Sequence, residues 1–334
     1  MPKYSIILPV RNGGEYVKAC VNSILSQTIN NFNLEILDNC STDGTYEWVS
    51  SLNDNRIRLY RSERSLPIEG NWARMLAIPK NEYMTFLGHD DLLDINFLEV
   101  MENLIGNHPN ASLYQSHFRD IDENGNKTRS CSPMDEQQRV HEYVAFFLSG
   151  MSELSIGQVM KSADFNALGG LPDYPSLLFA DLEFFTRLIQ KGYRATAFEE
   201  CCSKRVHVQS TTNSSSAVKY NDAFIRLLNY FIALKNMDNH FALIFQRYGL
   251  NFLKPYSRSF SHHLLRVPMK QRDGLLVKGF LLQYKKSVDE LIPGNSFYPA
   301  NQPSVKLALA IDNNYILRNI FLRFKKMYSK PILH

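Results

Sequence analysis

The sequence predicts an α/β protein: a mostly parallel sheet flanked by helices over residues 1–215, then a helical extension over residues 216–334. Three observations lead there. Short apolar runs without alternation, the pattern of strands buried on both faces, recur along the first two thirds of the chain. Segments with helical periodicity separate them, which is the rhythm of βαβ units. Beyond a serine-rich stretch at residues 210–216 the short runs stop and long helical patterns take over.

Tyr4 to Val10 (YSIILPV) reads as the first buried strand, closed by Pro9 and by Asn12-Gly13-Gly14. Val17, Cys20, Val21, Ile24 and Leu25 then mark a helix over 16–27. A second strand, 34–37, ends in Asp38-Asn39; Ser41 to Gly44 make a turn, and a helix starts near Thr45. A third strand at 57–60 precedes a helix over 69–78, and Tyr83 to Leu87 form the fourth strand. That strand ends abruptly in Gly88-His89-Asp90-Asp91, before a helix over 94–107. A strand at 112–121, a hairpin turn at 123–126, a helix over 139–148 and a strand at 158–160 follow. Ser162 opens a helix ending at Gly169-Gly170; another runs over 180–191, and two short strands occupy 193–198 and 204–208. Helices are expected over 220–248 and 267–290.

The composition, with 44% hydrophobic and 21% charged residues, is that of a water-soluble globular protein. A net charge of +4 is too small to imply nucleic acid as a partner. The five cysteines include no CxxC pair and suit a reducing compartment. No signal peptide is evident, and no apolar run reaches the roughly 18 residues of a membrane span. The expected location is cytoplasmic. Peripheral contact with the inner face of the plasma membrane and self-association are both left open.

Polar residues gather where the strands end. Arg11-Asn12, Asp38-Asn39 and His89-Asp90-Asp91 fall at the carboxyl ends of three strands, the rim where open α/β sheets bind ligands. Two adjacent carboxylates there suit a hard divalent cation, Mg²⁺ or Mn²⁺, bridging protein to substrate phosphates. The alternative is that Asp90 or Asp91 caps the following helix. No GxGxxG follows the first strand, so the dinucleotide fingerprint is absent.

The order of these motifs resembles inverting family 2 glycosyltransferases of the GT-A fold. Arg11-Asn12-Gly13-Gly14-Glu15-Tyr16 is similar to their "YNGEEY" loop, and Ser23 to Thr28 to their "SILSQT" helix end. Residues 35–45 resemble "EIIVVDDGSTDGT", Gly88 to Asp91 occupy the place of "DADD", and Ala180-Asp181-Leu182-Glu183 with Arg187 is similar to "EDLDLWLRL". The resemblance covers residues 3–210. It implies a nucleotide-sugar donor, a UDP-sugar first, and a saccharide or lipid-linked acceptor in surface polysaccharide or lipopolysaccharide synthesis. It places Asp38 at the base, with Pro9, Arg11, Asn12, Asn39, Asn71 and Asp90 lining the nucleotide site. It assigns Asp90, Asp91 and His207 to the metal, and Asp181 to the catalytic base. Two acids of the family pattern are missing, at Gly88 and at Ala180.

Each assignment has a plainer counterpart. Asp38 can close an Asx turn, Arg11 can be a solvated charge, His207 can be structural, and Asp181 can cap its helix. Trp72 reads as core. At the level of function, a nucleotidyltransferase or a degenerate binding or scaffold subunit remain the rivals. The tail, Tyr315 to Lys330, reads as a basic amphipathic helix, either packed on its domain or laid on an anionic membrane.

Overall fold

The computed structural model describes residues 2–151, 156–207 and 216–328, with side chains of the last helix described to Phe324. The serine-rich stretch at 210–215, Val208, Lys330 and the side chains of Lys325 and Lys326 lie outside it. The chain divides into two units. The first comprises residues 1–143, 153–173 and 180–208; the second comprises 144–152, 174–179 and 209–334. Relative to the boundary expected at 215, two short excursions of the first part thus group with the helical part.

The first unit is built on one sheet. Strands β1 (Tyr4–Val10), β2 (Phe32–Asp38), β3 (Ile57–Arg61) and β4 (Tyr83–Phe86) lie in the order β3-β2-β1-β4, all parallel. All seven residues of β1 and of β2 are buried, as the non-alternating pattern requires of strands covered on both faces. Helix α1 (Gly14–Leu25) buries Val17, Cys20, Val21 and Ile24. Each such aliphatic side chain contributes about 1.5–3 kcal/mol of transfer free energy.

Beyond β4 the sheet becomes mixed. Numbering in chain order, β5 is Leu92–Leu93, β6 Leu113–Ile121, β7 Lys127–Ser130, β8 Gln137–Gln138, β9 Gln158–Lys161 and β10 Arg194–Arg205. Strand β9 runs antiparallel to both β4 and β6, and β10 runs parallel to β6. The two strands expected at 193–198 and 204–208 are one, β10, interrupted by register shifts on either side of Glu200. The polar dipeptide Glu199-Glu200 that suggested a break sits at the irregularity.

β10 also pairs antiparallel with β5, with Cys202 opposite Leu93 and Ser203 opposite Leu92. Continued outward, this register sets Lys204, Arg205 and His207 beside Asp91 and Asp90. That short pairing assembles the candidate site. It also removes the capping alternative for Asp90 and Asp91, because the next helix starts only at Phe97, after Asn96.

The second unit holds helices Ala217–Met237, Asn239–Arg266, Val277–Leu291, Pro303–Asn313 and Tyr315–Tyr328. The single helix expected over 220–248 is broken at Asp238, which is extended (φ −149°) and accepts a hydrogen bond from the His240 amide. An N-cap therefore interrupts an unbroken apolar period. The next helix begins at Val277 rather than 267, because Pro268 and the positive-φ pair Asp273-Gly274 occupy the interval. An aromatic cluster, including Phe224 stacked on Tyr256, fills the interior of this unit.

Candidate active site

The first two strand-end loops are stapled to each other. Asn12, at φ 52°, donates its amide to Ser41 Oγ (2.9 Å) and accepts the Thr42 amide on Oδ1 (2.8 Å). The Gly13 amide donates to Thr45 Oγ1 at 3.0 Å and the Gly14 amide to Asp43 Oδ2 at 2.9 Å. Gly13 has no alternative, since a Cβ there would stand 2.6 Å from Val17 Cβ. Arg11 is exposed beside this staple and Pro9 is buried behind it, opposite Leu37.

Asp38 is fully buried at the end of β2. Both carboxylate oxygens lie 3.3 Å from the Ser41 amide, and Arg61 Nε stands 3.7 Å away. These are long contacts, so the Asx-type turn is present but weakly made, and the carboxylate keeps acceptor capacity. Its backbone carbonyl is held by Arg74, which also donates to Asn71 Oδ1 and the Tyr60 carbonyl. Asn71 and Asn39 are 3% exposed and engaged with backbone: Asn71 donates to the Leu37 carbonyl, while Asn39 exchanges two bonds with Leu66. The structure thus places these two asparagines as fasteners of the loops around Asp38.

The second cluster lies where β4 ends and β10 leaves the sheet. His207 Nε2 and Asp90 Oδ2 are 2.7 Å apart. Arg205 donates Nε–H to the Asp90 carbonyl at 3.0 Å and its amide to Asp91 Oδ1 at 2.9 Å. The guanidinium also reaches the Asp122 and Glu123 carbonyls and lies over the Tyr16 ring, 4.6 Å from its centroid. Tyr16 in turn faces the His207 ring at 5.6 Å. Burial, together with the adjacent Asp90 charge, pushes the Asp91 carboxyl well above the usual carboxylate range. Burial raises the Cys20 thiol, with the Asp91 and then the Asp90 charge adding to it. Burial lowers His89.

A divalent cation fits part of this set. Asp90 and His207 offer an oxygen and a nitrogen to one point, an oxygen–imidazole pair acceptable to Mn²⁺ or Mg²⁺ when phosphate oxygens supply the rest. Asp91 does not complete a three-residue cluster with them; one of its oxygens takes the Arg205 amide. The missing acid at position 88 has a steric reason. A Cβ on Gly88 would stand 2.8 Å from Asp90 Oδ1 and 2.9 Å from Asp91 Oδ2, so the two carboxylates occupy the space that a side chain would need.

Asp181 opens the helix Ala180–Ile189, and its Oδ1 accepts the Leu182 amide at 2.8 Å. Burial lifts its carboxyl to about 6. Lys204, next to Arg205 on β10, is the charged group that opposes this, and it acts on Asp91 in the same sense. Ala180, where the family pattern has an acid, is 1% exposed, a place where a carboxylate would be buried. Among the described residues, six non-glycine positions have positive φ; they include the candidate residue Asn12 and Cys40, which follows Asn39.

Sequence reasoning gave no roles to Tyr16, Arg61 or Lys204, and named Arg205 only as part of the Arg205-Val206-His207 element, similar to the family's "RxH". One signal was available for Arg205: in an extended segment, residues two apart share a face, so His207 brings Arg205 with it.

Comparison with known proteins agrees with this architecture. Residues 5–160 match the model of glycosyl transferase family 2, which covers Asp38, Asp90 and Asp91 and stops before Asp181 and His207. The glycosyltransferase GlyG of Streptococcus pneumoniae is 30% identical over 99 residues, 29% of this chain and 33% of GlyG. The Escherichia coli UDP-Glc:alpha-D-GlcNAc-diphosphoundecaprenol beta-1,3-glucosyltransferase WfgD is 31% identical over 101 residues, 30% of this chain and 40% of WfgD. The chain therefore spans well under half the length of these curated relatives. The crystal structure of Staphylococcus aureus TarS 1–349 in complex with UDP-GlcNAc superposes over 97% of this chain and 92% of that one, with TM-score 0.69 and 16% identity, which shows a shared fold. Residues 5–160 thus carry the likeness to glycosyl transferase family 2, on a fold shared with TarS.

Proposed function

We propose that the protein transfers a sugar from a UDP-sugar to a hydroxyl of a saccharide or lipid-linked saccharide, with inversion, in bacterial surface polysaccharide or lipopolysaccharide synthesis. The observation that carries the reading is the Asp90–His207 pair, 2.7 Å apart, at the strand-end rim. The fold shared with TarS, seen with UDP-GlcNAc, supports the donor, and the name of WfgD supports a diphospholipid acceptor.

In this reading Asp38 accepts a hydrogen bond from the ring N–H of uracil, and the Pro9-Val10-Arg11-Asn12 segment forms the wall of that pocket. Asn39 and Asn71 act through the loops they fasten. Asp90 and His207 hold the Mn²⁺ or Mg²⁺, which supplies Lewis-acid neutralisation of the diphosphate. Asp91 orients this corner through the Arg205 amide. Asp181 takes the proton of the acceptor hydroxyl as its oxygen bonds to the anomeric carbon and the bond from that carbon to the diphosphate oxygen breaks. UDP leaves, and attack from the side opposite the diphosphate inverts the anomeric centre.

The test is calorimetry with UDP and Mn²⁺, followed by UDP-release assays with a panel of UDP-sugars and diphospholipid acceptors. Saturable, Mn²⁺-dependent UDP binding and acceptor-dependent release are expected. A protein that binds UDP and never turns over is the scaffold subunit instead; one that binds no uridine nucleotide refutes the donor.

A further inference from the structure

The last helix is mounted with its apolar side facing solvent. In Tyr315–Tyr328, Ile316, Leu317, Ile320 and Phe324 fall on one stripe at helical spacing and are 67, 44, 57 and 60% exposed. The opposite side carries Arg318, which is only 14% exposed and ion-paired through Nε to Asp312 Oδ1 at 3.3 Å. A surface helix ordinarily turns its apolar stripe inward and its arginines outward; here the arrangement is reversed.

The reversal is held by a buried ionic hub. Asp312 and Arg272 are fully buried and 2.7 Å apart, and Asp312 Oδ2 accepts the amide of Val277, the first residue of another helix. The Arg318 guanidinium also donates to the Asp312 carbonyl. Rotating the helix to bury its stripe would pull Arg318 off Asp312 and strip the guanidinium of its ion-pair partner.

We propose that this stripe docks on an anionic lipid bilayer, with the helix lying in the interface plane. Two observations favour lipid over a second copy of the chain. Besides Arg318, which Asp312 holds, the sequence from Tyr315 onward has four basic residues, Arg323, Lys325, Lys326 and Lys330, and no acid. An isologous dimer would bring two copies of this acid-free basic segment together, whereas anionic headgroups neutralise it. The helix, with 14 residues, is also too short to cross a bilayer, and no described helix is long and apolar enough to do so. Apolar residues on one side with cations beside them is the arrangement of an interfacial helix. This inference stands on the second unit alone and does not depend on the donor or acceptor proposed above.

The test is co-sedimentation of the full chain with phosphatidylcholine vesicles with and without a minority of phosphatidylglycerol, at low and high salt. Binding is expected to the anionic vesicles at low salt and to weaken as salt screens it. The double variant Ile320→Asp/Phe324→Asp should lose binding, and Arg323→Glu should weaken it about fivefold or more. Both act on exposed positions, so melting and UDP binding should stay as in the wild type. No binding to anionic vesicles at low salt overturns the proposal, as does binding that ignores the double variant. A dimer in light scattering that the double variant dissociates, without vesicle binding, assigns the stripe to a second copy and overturns it too.

Discussion

Asp181→Asn should make the protein more stable and almost inactive. The carboxyl lies at about 6 in place of its ordinary 3.8, because folding buries it. At pH 7 it is ionised both folded and unfolded, so the folded state carries the penalty of a buried charge. The shift from 3.8 to 6 corresponds to about 3 kcal/mol. The side chain is only half-buried, and solvent screening reduces this to on the order of 1–2 kcal/mol. Asparagine keeps the oxygen that accepts the Leu182 amide, so the start of the helix is preserved while the charge is removed.

The sign follows from the two pKa values. Below about 3.8 the acid is protonated in both states and the penalty vanishes; above about 6 it is fully present. Melting temperatures of wild type and variant should therefore converge at low pH, separate between these values, and stay about 2–8 °C apart above them, the variant higher. Turnover should fall on the order of 10²-fold or more with UDP affinity unchanged, the scale of a lost general base. The wild-type rate should lose activity as pH drops through about 6, where the base takes up its proton. A variant that melts at or below wild type at pH 7 refutes the burial argument. One that turns over normally refutes the base, and Glu183 or Asp91 becomes the next candidate.

Asp38→Ala should weaken UDP binding about 10-fold or more in calorimetry while keeping the circular dichroism of the wild type, since a hydrogen bond to a charged group contributes about 1.5–3 kcal/mol. Unchanged affinity removes Asp38 from the base pocket. Asp90→Asn and His207→Ala should each raise the Mn²⁺ concentration needed for half-maximal activity by about tenfold or more. Full wild-type activity in excess chelator would instead mean that Arg205, Lys204 and backbone dipoles neutralise the diphosphate. Gly88→Ala should lower melting temperature and Mn²⁺ affinity together, as the added methyl displaces Asp90 and Asp91, at about 1–3 kcal/mol for an overpacked site. A variant with both properties of the wild type would show that the two carboxylates move aside freely.

The parallel half of the sheet was legible because its strands are buried on both faces, and such strands write themselves as unbroken apolar runs, as in Tyr4–Val10. The antiparallel direction of β9 was not, because Gln158 to Lys161 carries no mark of strand direction; that depends on partners far along the chain. β10 was read as two strands because a bulge leaves polar residues inside a continuous ladder. Asp38, Asp90 and Asp181 were singled out through the family resemblance, and the structure places them at the end of β2, beyond β4 and at the start of the helix Ala180–Ile189. The neighbours of Asp90 and Asp91 on β10, Lys204 and the Arg205 amide, were not legible, since their places follow from the two-residue pairing of β5 with β10. The outward stripe of the last helix was legible as amphipathicity, while its direction was set by Asp312 and Arg272, residues that periodicity passes over.

The two acids missing from the family pattern bear on whether the site is degenerate. If they had been lost by relaxed drift, their positions should be open and polar, and neighbouring acids should be unsupported. The opposite holds. At Gly88 the absent side chain is replaced by two carboxylates that fill its space, and both are held by residues leaving β10, Asp90 by His207 and Asp91 by the Arg205 amide. At Ala180 the position is buried, so a carboxylate there would bring a desolvation cost, while the next residue keeps a carboxylate lifted toward neutral pH. A raised carboxyl destabilises the fold and has no structural use that a capping asparagine would not serve as well. A carboxyl raised in this way suits a general base, and turnover of the Asp181→Asn variant decides between the enzyme and scaffold readings.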